Sequence, residues 1–280
     1  MTRRRGGTAL TTLGAFSIGA VGSLAAAALL KGHPPGGAQR WTRTNHAGRP
    51  VSLLEGPAYG VGAVAGALAG GAGAPAAVAG LGAGAFGVLD DLFGDSSSKG
   101  LGGHLAASYR GEVTTGAIKV VGLAATGLLT AWIIDRPRIR TGPVATLMGG
   151  AVVAGSANIA NLLDLRPGRA LKVVLLFAVP LVAGRANPIS AATAGAAAGA
   201  AIGTLPDDLA GRSMLGDMGA NSAGALLGTA LVARTGLRGR LLALAVVTAL
   251  TLASEKFSFT AVIESTPGLR ELDALGRPPG

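Results

Sequence analysis

The chain has 280 residues, of which 49% are hydrophobic and only 14% charged, against about 25% charged in soluble domains. That deficit and a mean hydropathy of +0.51 exclude an ordinary soluble domain, and the absence of cysteine excludes disulfides and thiolate chemistry. The net charge of +10 does not describe a nucleic-acid surface, because the arginines are scattered over short loops and aromatic residues make up only 4%. Juxtamembrane positive charge near lipid headgroups accounts for it instead.

The first charge-free block, Gly6 to Leu30, follows Arg3-Arg4-Arg5. It is longer than the apolar run of a signal peptide, so it reads as an uncleaved first membrane helix. Gly56 to Leu89 is also free of charge, with a Gly/Pro turn at 70–75. Further apolar segments follow, giving expected spans near 8–30, 57–70, 74–89, 113–134, 143–163, 173–184, 188–205, 219–233 and 241–253. Several are shorter than the ~20 residues of a full crossing. Backbone groups in hydrocarbon must be bonded internally, and these runs lack the alternation of a barrel. The expected fold is therefore all-α, a polytopic transmembrane helical bundle of about nine spans, with eight to ten as the range. Residues 1–254 form one integral membrane domain and 255–280 a cytoplasmic tail, which lies on the membrane surface or caps one face.

Glycines recur every fourth residue at Gly62, Gly66, Gly70 and at Gly195, Gly199, Gly203. Small residues so spaced let helix backbones approach closely. No internal repeat is present to suggest an inverted-repeat transporter. Alternating the nine segments places every acidic residue except Asp135 on one face, called side A, while Lys and Arg divide almost evenly. The positive-inside rule counts Lys and Arg. Their split favours a cytoplasmic side A, although Arg3–Arg5 then lie outside.

Three constellations on side A carry chemistry. Asp90-Asp91 ends an apolar helix and is followed by Lys99 and His104. Adjacent carboxylates repel unless a cation is near, which suits metal or proton chemistry as well as a solvated helix end. Asn158, Asn161 and Asp164 recur every third position and share roughly one helix face, for interhelical hydrogen bonds or a nucleotide. Asp217 lies between Gly216 and Met218-Gly219 where a helix begins; it suits an N-cap or Mg²⁺ beside phosphate oxygens held by helix amides. Lys119 lies inside the fourth segment, where a charge is costly unless paired.

In this order the three motifs resemble the polyprenyl-phosphate N-acetylhexosamine-1-phosphate transferases, the family of phospho-N-acetylmuramoyl-pentapeptide transferase. The resemblance covers roughly residues 40–235. Within it, Lys119 is similar to the family's lysine after Asp-Asp, and Trp41 to Pro50, with Arg43, Asn45, His46 and Gly48, to its first cytoplasmic loop. The resemblance implies Mg²⁺-dependent transfer of a sugar-1-phosphate from a UDP-amino sugar to a polyprenyl phosphate in the cell membrane, releasing UMP. It implies Asp217 as metal ligand, Asp90, Asp91 and Asp164 as catalytic residues, and Asn158, Asn161, Lys119, Lys99 and His104 as substrate-binding residues. It allows a homodimer. The chain departs from the family at Pro167, where a second aspartate is usual, and lacks a late histidine cluster. A non-catalytic relative that binds the lipid carrier or acts as a scaffold is the alternative, and a transporter a third reading.

Overall fold

The computed structural model describes residues 2–45, 48–94, 114–137, 142–183 and 187–278. Among them are helices α1 (Thr2–Gly32), α2 (Glu55–Ala69), α3 (Ala74–Phe93), α4 (Thr115–Asp135), α5 (Pro143–Leu163), α6 (Arg169–Val182), α7 (Pro188–Leu209), α8 (Gly216–Arg234) and α9 (Leu237–Ser254). Two short helices follow, α10 (Phe259–Ser265) and α11 (Leu269–Ala274). Local chemistry sets several starts. Proline opens α3, α5 and α7, where its missing N–H costs nothing. Thr114 accepts the Ala117 N–H at 3.1 Å to cap α4, and Asn187 accepts the Ile189 N–H at 2.9 Å to cap α7.

The protein is an all-α bundle with membrane-spanning character. Among the described residues nine long helices fall where nine apolar segments were expected, but the nine-span count is not reproduced. Among the described residues six helices, α1, α3, α4, α5, α7 and α9, are long and apolar enough to cross a membrane. The 15 residues of α2 and the 14 of α6 reach only ~20 Å at ~1.5 Å per residue, against a hydrocarbon core of ~30 Å. Helix α8 is long enough but too polar by that measure, and most of its length is buried by protein rather than facing lipid.

Small residues govern the packing. Both glycine rows meet α1: Gly62 and Gly66 lie against Gly19 and Ser23 or Ala15, while Gly195, Gly199 and Gly203 lie against Thr12, Phe16 and Ala20. Helix α1 thus lies against both α2 and α7 at backbone contact. Tyr59 reaches across the same core to donate to the Ala197 carbonyl at 3.2 Å.

The helices alternate in direction and sort their charges. Asp135 is fully ion-paired with buried Arg240, at 2.6 and 2.7 Å. At the opposite end, side A, lie Glu55, Asp90, Asp91, Asp164, Asp207, Asp208 and Asp217. Contacts between Lys31 and Asp207, Ser213 and Glu55, and Lys119 and Asp90 join these helix ends. A small antiparallel hairpin, β1 (Thr42–Thr44) with β2 (Pro50–Ser52), sits there too. It is tied to the α7–α8 connection by Ser52 N–H to Arg212 O at 3.2 Å and Met214 N–H to Ser52 O at 3.0 Å. Helix α1 is unbroken from Thr2 to Gly32, so the Arg3–Arg5 backbone belongs to the end opposite side A.

A Cβ at Gly199 would collide with the Phe16 backbone, whereas one at Gly14 would meet nothing within 4 Å. Gly199→Ala is expected to cost about 1–3 kcal/mol through overpacking and Gly14→Ala nothing. Thermal unfolding of the two variants in one detergent checks this.

Candidate active site at the acidic end

The site forms where α3 ends, α4 begins and α8 begins. Asp90 and Asp91 are neighbours in the last turn of α3. Adjacent helical residues point about 100° apart, so the two carboxylates serve different partners. Asp91 accepts the N–H groups of Asp217 at 3.0 Å and Met218 at 2.9 Å. It is an N-cap supplied from another helix, and its charge opposes the positive end of the α8 dipole. The Arg43 guanidinium of the hairpin donates to the Asp91 carbonyl. Gly216 opens α8 at φ 60° with both Asp91 oxygens 3.1 Å from its Cβ position. Only glycine accepts that conformation and that approach together.

Asp90 turns toward α4. Lys119 Nζ lies 3.2 Å from Asp90 Oδ2 and is hydrogen-bonded to Asp217 Oδ2 as well. One ammonium therefore joins two carboxylates that are far apart in sequence. The three side chains keep 16–24% of their surface exposed, so the cluster opens toward solvent at the bundle end.

A second acidic group lies behind the hairpin. Asp164, which follows α5, is buried and accepts the Gly216 N–H. Burial, then the neighbouring Asp208 carboxylate, push Asp164 well above the ordinary carboxylate range; the Gly216 amide opposes them. Glu55 is buried beside it and accepts a 2.5 Å hydrogen bond from Ser213. Asp164 Oδ2, Asp208 Oδ2 and Glu55 Oε1 are buried without a hydrogen-bond partner. A cavity of about 180 Å³ opens here, lined by Thr44, Asn45, Asp164, Pro167, Asp208 and Ser213 among others. Its orphaned acceptors call for donor groups on whatever enters.

Of the residues singled out in the sequence, Asp90, Asp91, Lys119 and Asp217 meet directly. Asp164 joins them through Gly216. Asn161 donates to Asn221 of α8 at 3.3 Å, behind the Asp217 turn. Asn158 does not join; it lies 3.5 Å from Thr251 of α9. Three-residue steps rotate each side chain about 300° around the helix, so six residues separate Asn158 from Asp164 by a third of a turn. Lys99, His104 and His46 lie outside the described residues. Among the described residues no group of three or more His, Cys, Asp or Glu is arranged to hold a metal ion. Asp90 and Asp217 are the pair that already flank a cation. Sequence reasoning passed over Glu55 and Asp208, although Asp207-Asp208 repeats the Asp90-Asp91 pattern of paired acids ending an apolar helix, and it named Arg43 only as part of a loop.

No protein-family model matches this chain, and no curated protein matches it.

Asp91→Ala is expected to lower stability by about 0.5–2 kcal/mol, the worth of a helix cap. Asp90→Asn, which leaves Lys119 its Asp217 partner, should cost less. Unfolding midpoints of the two variants, read by circular dichroism in detergent, separate the cap from the lysine partner.

Proposed function

We propose that the protein is a sugar-1-phosphate transferase of the cell membrane, using a UDP-amino sugar, a polyprenyl phosphate and Mg²⁺, with side A cytoplasmic. The observation that carries the reading is the meeting of Asp90, Lys119 and Asp217 at one solvent-accessible helix junction, beside a cavity with unsatisfied acceptors. In the reaction a lipid phosphate oxygen bonds to the β-phosphorus of the sugar nucleotide. The bond from that phosphorus to the bridging oxygen breaks, and UMP leaves with the oxygen.

Each group has a physical task in this scheme. Asp217 and Asp90 would hold Mg²⁺, which usually takes one or two carboxylates and fills its other positions from substrate phosphates and water. When bound it neutralises the diphosphate and the charge developing on the leaving group. Lys119 pairs with phosphate oxygens once a substrate draws it from the carboxylates. Asp91 keeps the α8 amides fixed. The nucleoside end, rich in N–H and O–H donors, suits the cavity of Asp164 and Asp208. An apolar groove of about 470 Å³ between α3 and α4, lined by Val78, Leu81, Ala125 and Leu129, lies eight or more residues below Asp90 and Asp91 and offers a bed for a polyprenyl chain.

The same Lys119 contact also favours a second reading. An ammonium already neutralises the Asp90–Asp217 pair, so a relative that binds the lipid carrier without catalysis needs no metal.

Protein in nanodiscs, given Mg²⁺, undecaprenyl phosphate and a panel of UDP-amino sugars, is expected to release UMP. Asp217→Asn should lower the rate by at least the ~100-fold typical of losing one transition-state charge partner. Equal silence of both proteins across the panel, with polyprenyl phosphate still bound, selects the non-catalytic reading.

A further inference from the structure

The chain after Ser254 turns back over side A. Helices α10 and α11 are mostly exposed, and of the carboxylates described after Ser254 only Asp273 is buried. Asp273 is gripped by Arg169 through two bonds, at 2.7 and 3.0 Å, and by Arg277 at 2.9 Å. Arg169 also donates to Thr260 at 2.8 Å, and Lys172 to the Asp273 carbonyl at 2.6 Å. Arg277 Nε donates to the Pro167 carbonyl at 2.8 Å, and Arg166 pairs with Glu264 at 3.0 Å. These bundle partners fall in 166–172: the loop after α5 and the first turn of α6. Asp164, Arg166 and Pro167 of that loop line the 180 Å³ cavity.

We propose that Asp273 is a positioning residue: it locks the C-terminal segment as a clamp on the 164–168 loop, and the clamp holds the cavity wall in its binding shape. The loop contains Gly168 at φ 73° and one internal turn bond, Arg169 N–H to the Arg166 carbonyl at 3.2 Å, so the rest of its conformation depends on outside contacts. Arg277 supplies one by holding the Pro167 carbonyl, and Asp273 orients Arg277. Removing one partner of a buried pair leaves the other charge uncompensated, so neutralising Asp273 undoes Arg169 and Arg277 together. Burial raises the Asp273 carboxyl, but Arg169 and Arg277 outweigh it and hold the group below the ordinary carboxylate range. The clamp is therefore closed at neutral and mildly acidic pH, and opens only as pH falls through that depressed value.

The chain contains no cysteine, so a nitroxide can be placed at Leu165→Cys alone in the full-length protein in nanodiscs. The spectrum should show slow label motion in the parent, fast motion with Asp273→Asn, and slow motion again with Asp273→Glu. If the ordered loop falls to about a tenth of molecules, UMP affinity should fall about tenfold. Identical label motion in parent and Asp273→Asn overturns the clamp, and a mobile loop with unchanged UMP affinity overturns its positioning role. This role rests on the nucleotide reading of the cavity. If the parent fails to bind UMP, that reading falls while the label motion still decides the clamp.

Discussion

The Asp91 carboxylate on the amides of Asp217 and Met218 is the interaction on which the acidic end depends. A helix that starts inside protein must satisfy its first N–H groups from outside itself. Here the acceptor comes from the last turn of α3, more than a hundred residues earlier. That requirement fixes the α8 start against the α3 end, and so places Asp217 beside Asp90. Gly216 is the geometric condition: a side chain there would push the Asp91 oxygens from the amides. Of two adjacent acids in one turn, one is thus structural and the other free to meet Lys119.

The small-residue core serves the same end. Glycine and alanine rows bring α1, α2 and α7 to backbone contact, which leaves little room for the relative sliding that larger side chains would allow. The ends of these helices carry the hairpin, Glu55 and Asp208. Lys31 to Asp207 and Ser213 to Glu55 then join ends already in register. At the far end the Asp135–Arg240 pair does similar work inside protein, with Arg240 also donating to the Ala145 and Val232 carbonyls.

Much of this was legible in the sequence. Apolar segments located the nine long helices among the described residues, and alternation put Asp135 opposite the other acids that are described. The fourfold glycine spacing correctly implied close packing, because spacing along one helix is a local property. What failed was what depends on partners. Whether α2, α6 and α8 are spans or enclosed helices turns on what surrounds them, not on their own residues. Asn158 shared a motif with Asp164 but not a neighbour, since repeated three-residue steps drift around a helix. The hairpin was hidden because its two strands have three residues each and are held by a loop 160 residues away. The clamp was hidden because only Asp273 and Arg277 are spaced as a local pair; Arg169 lies more than a hundred residues earlier, and the returning chain brings it to them.

The distribution of charge at side A also constrains how an anionic substrate could lie there. Asp164 and Asp208 line the cavity behind the hairpin with buried, unpartnered oxygens, which offer a phosphate no counter-charge. Lys119 is at the other, more open cluster, with Arg43 at the neighbouring turn of α3. Under the proposed function, a nucleotide entering from side A would have one favourable direction: the donor-rich nucleoside inward, its phosphates toward Lys119 and the α8 amide end. That direction would set the phosphates at the ends of α3 and α4, where the proposed lipid phosphate would also have to stand.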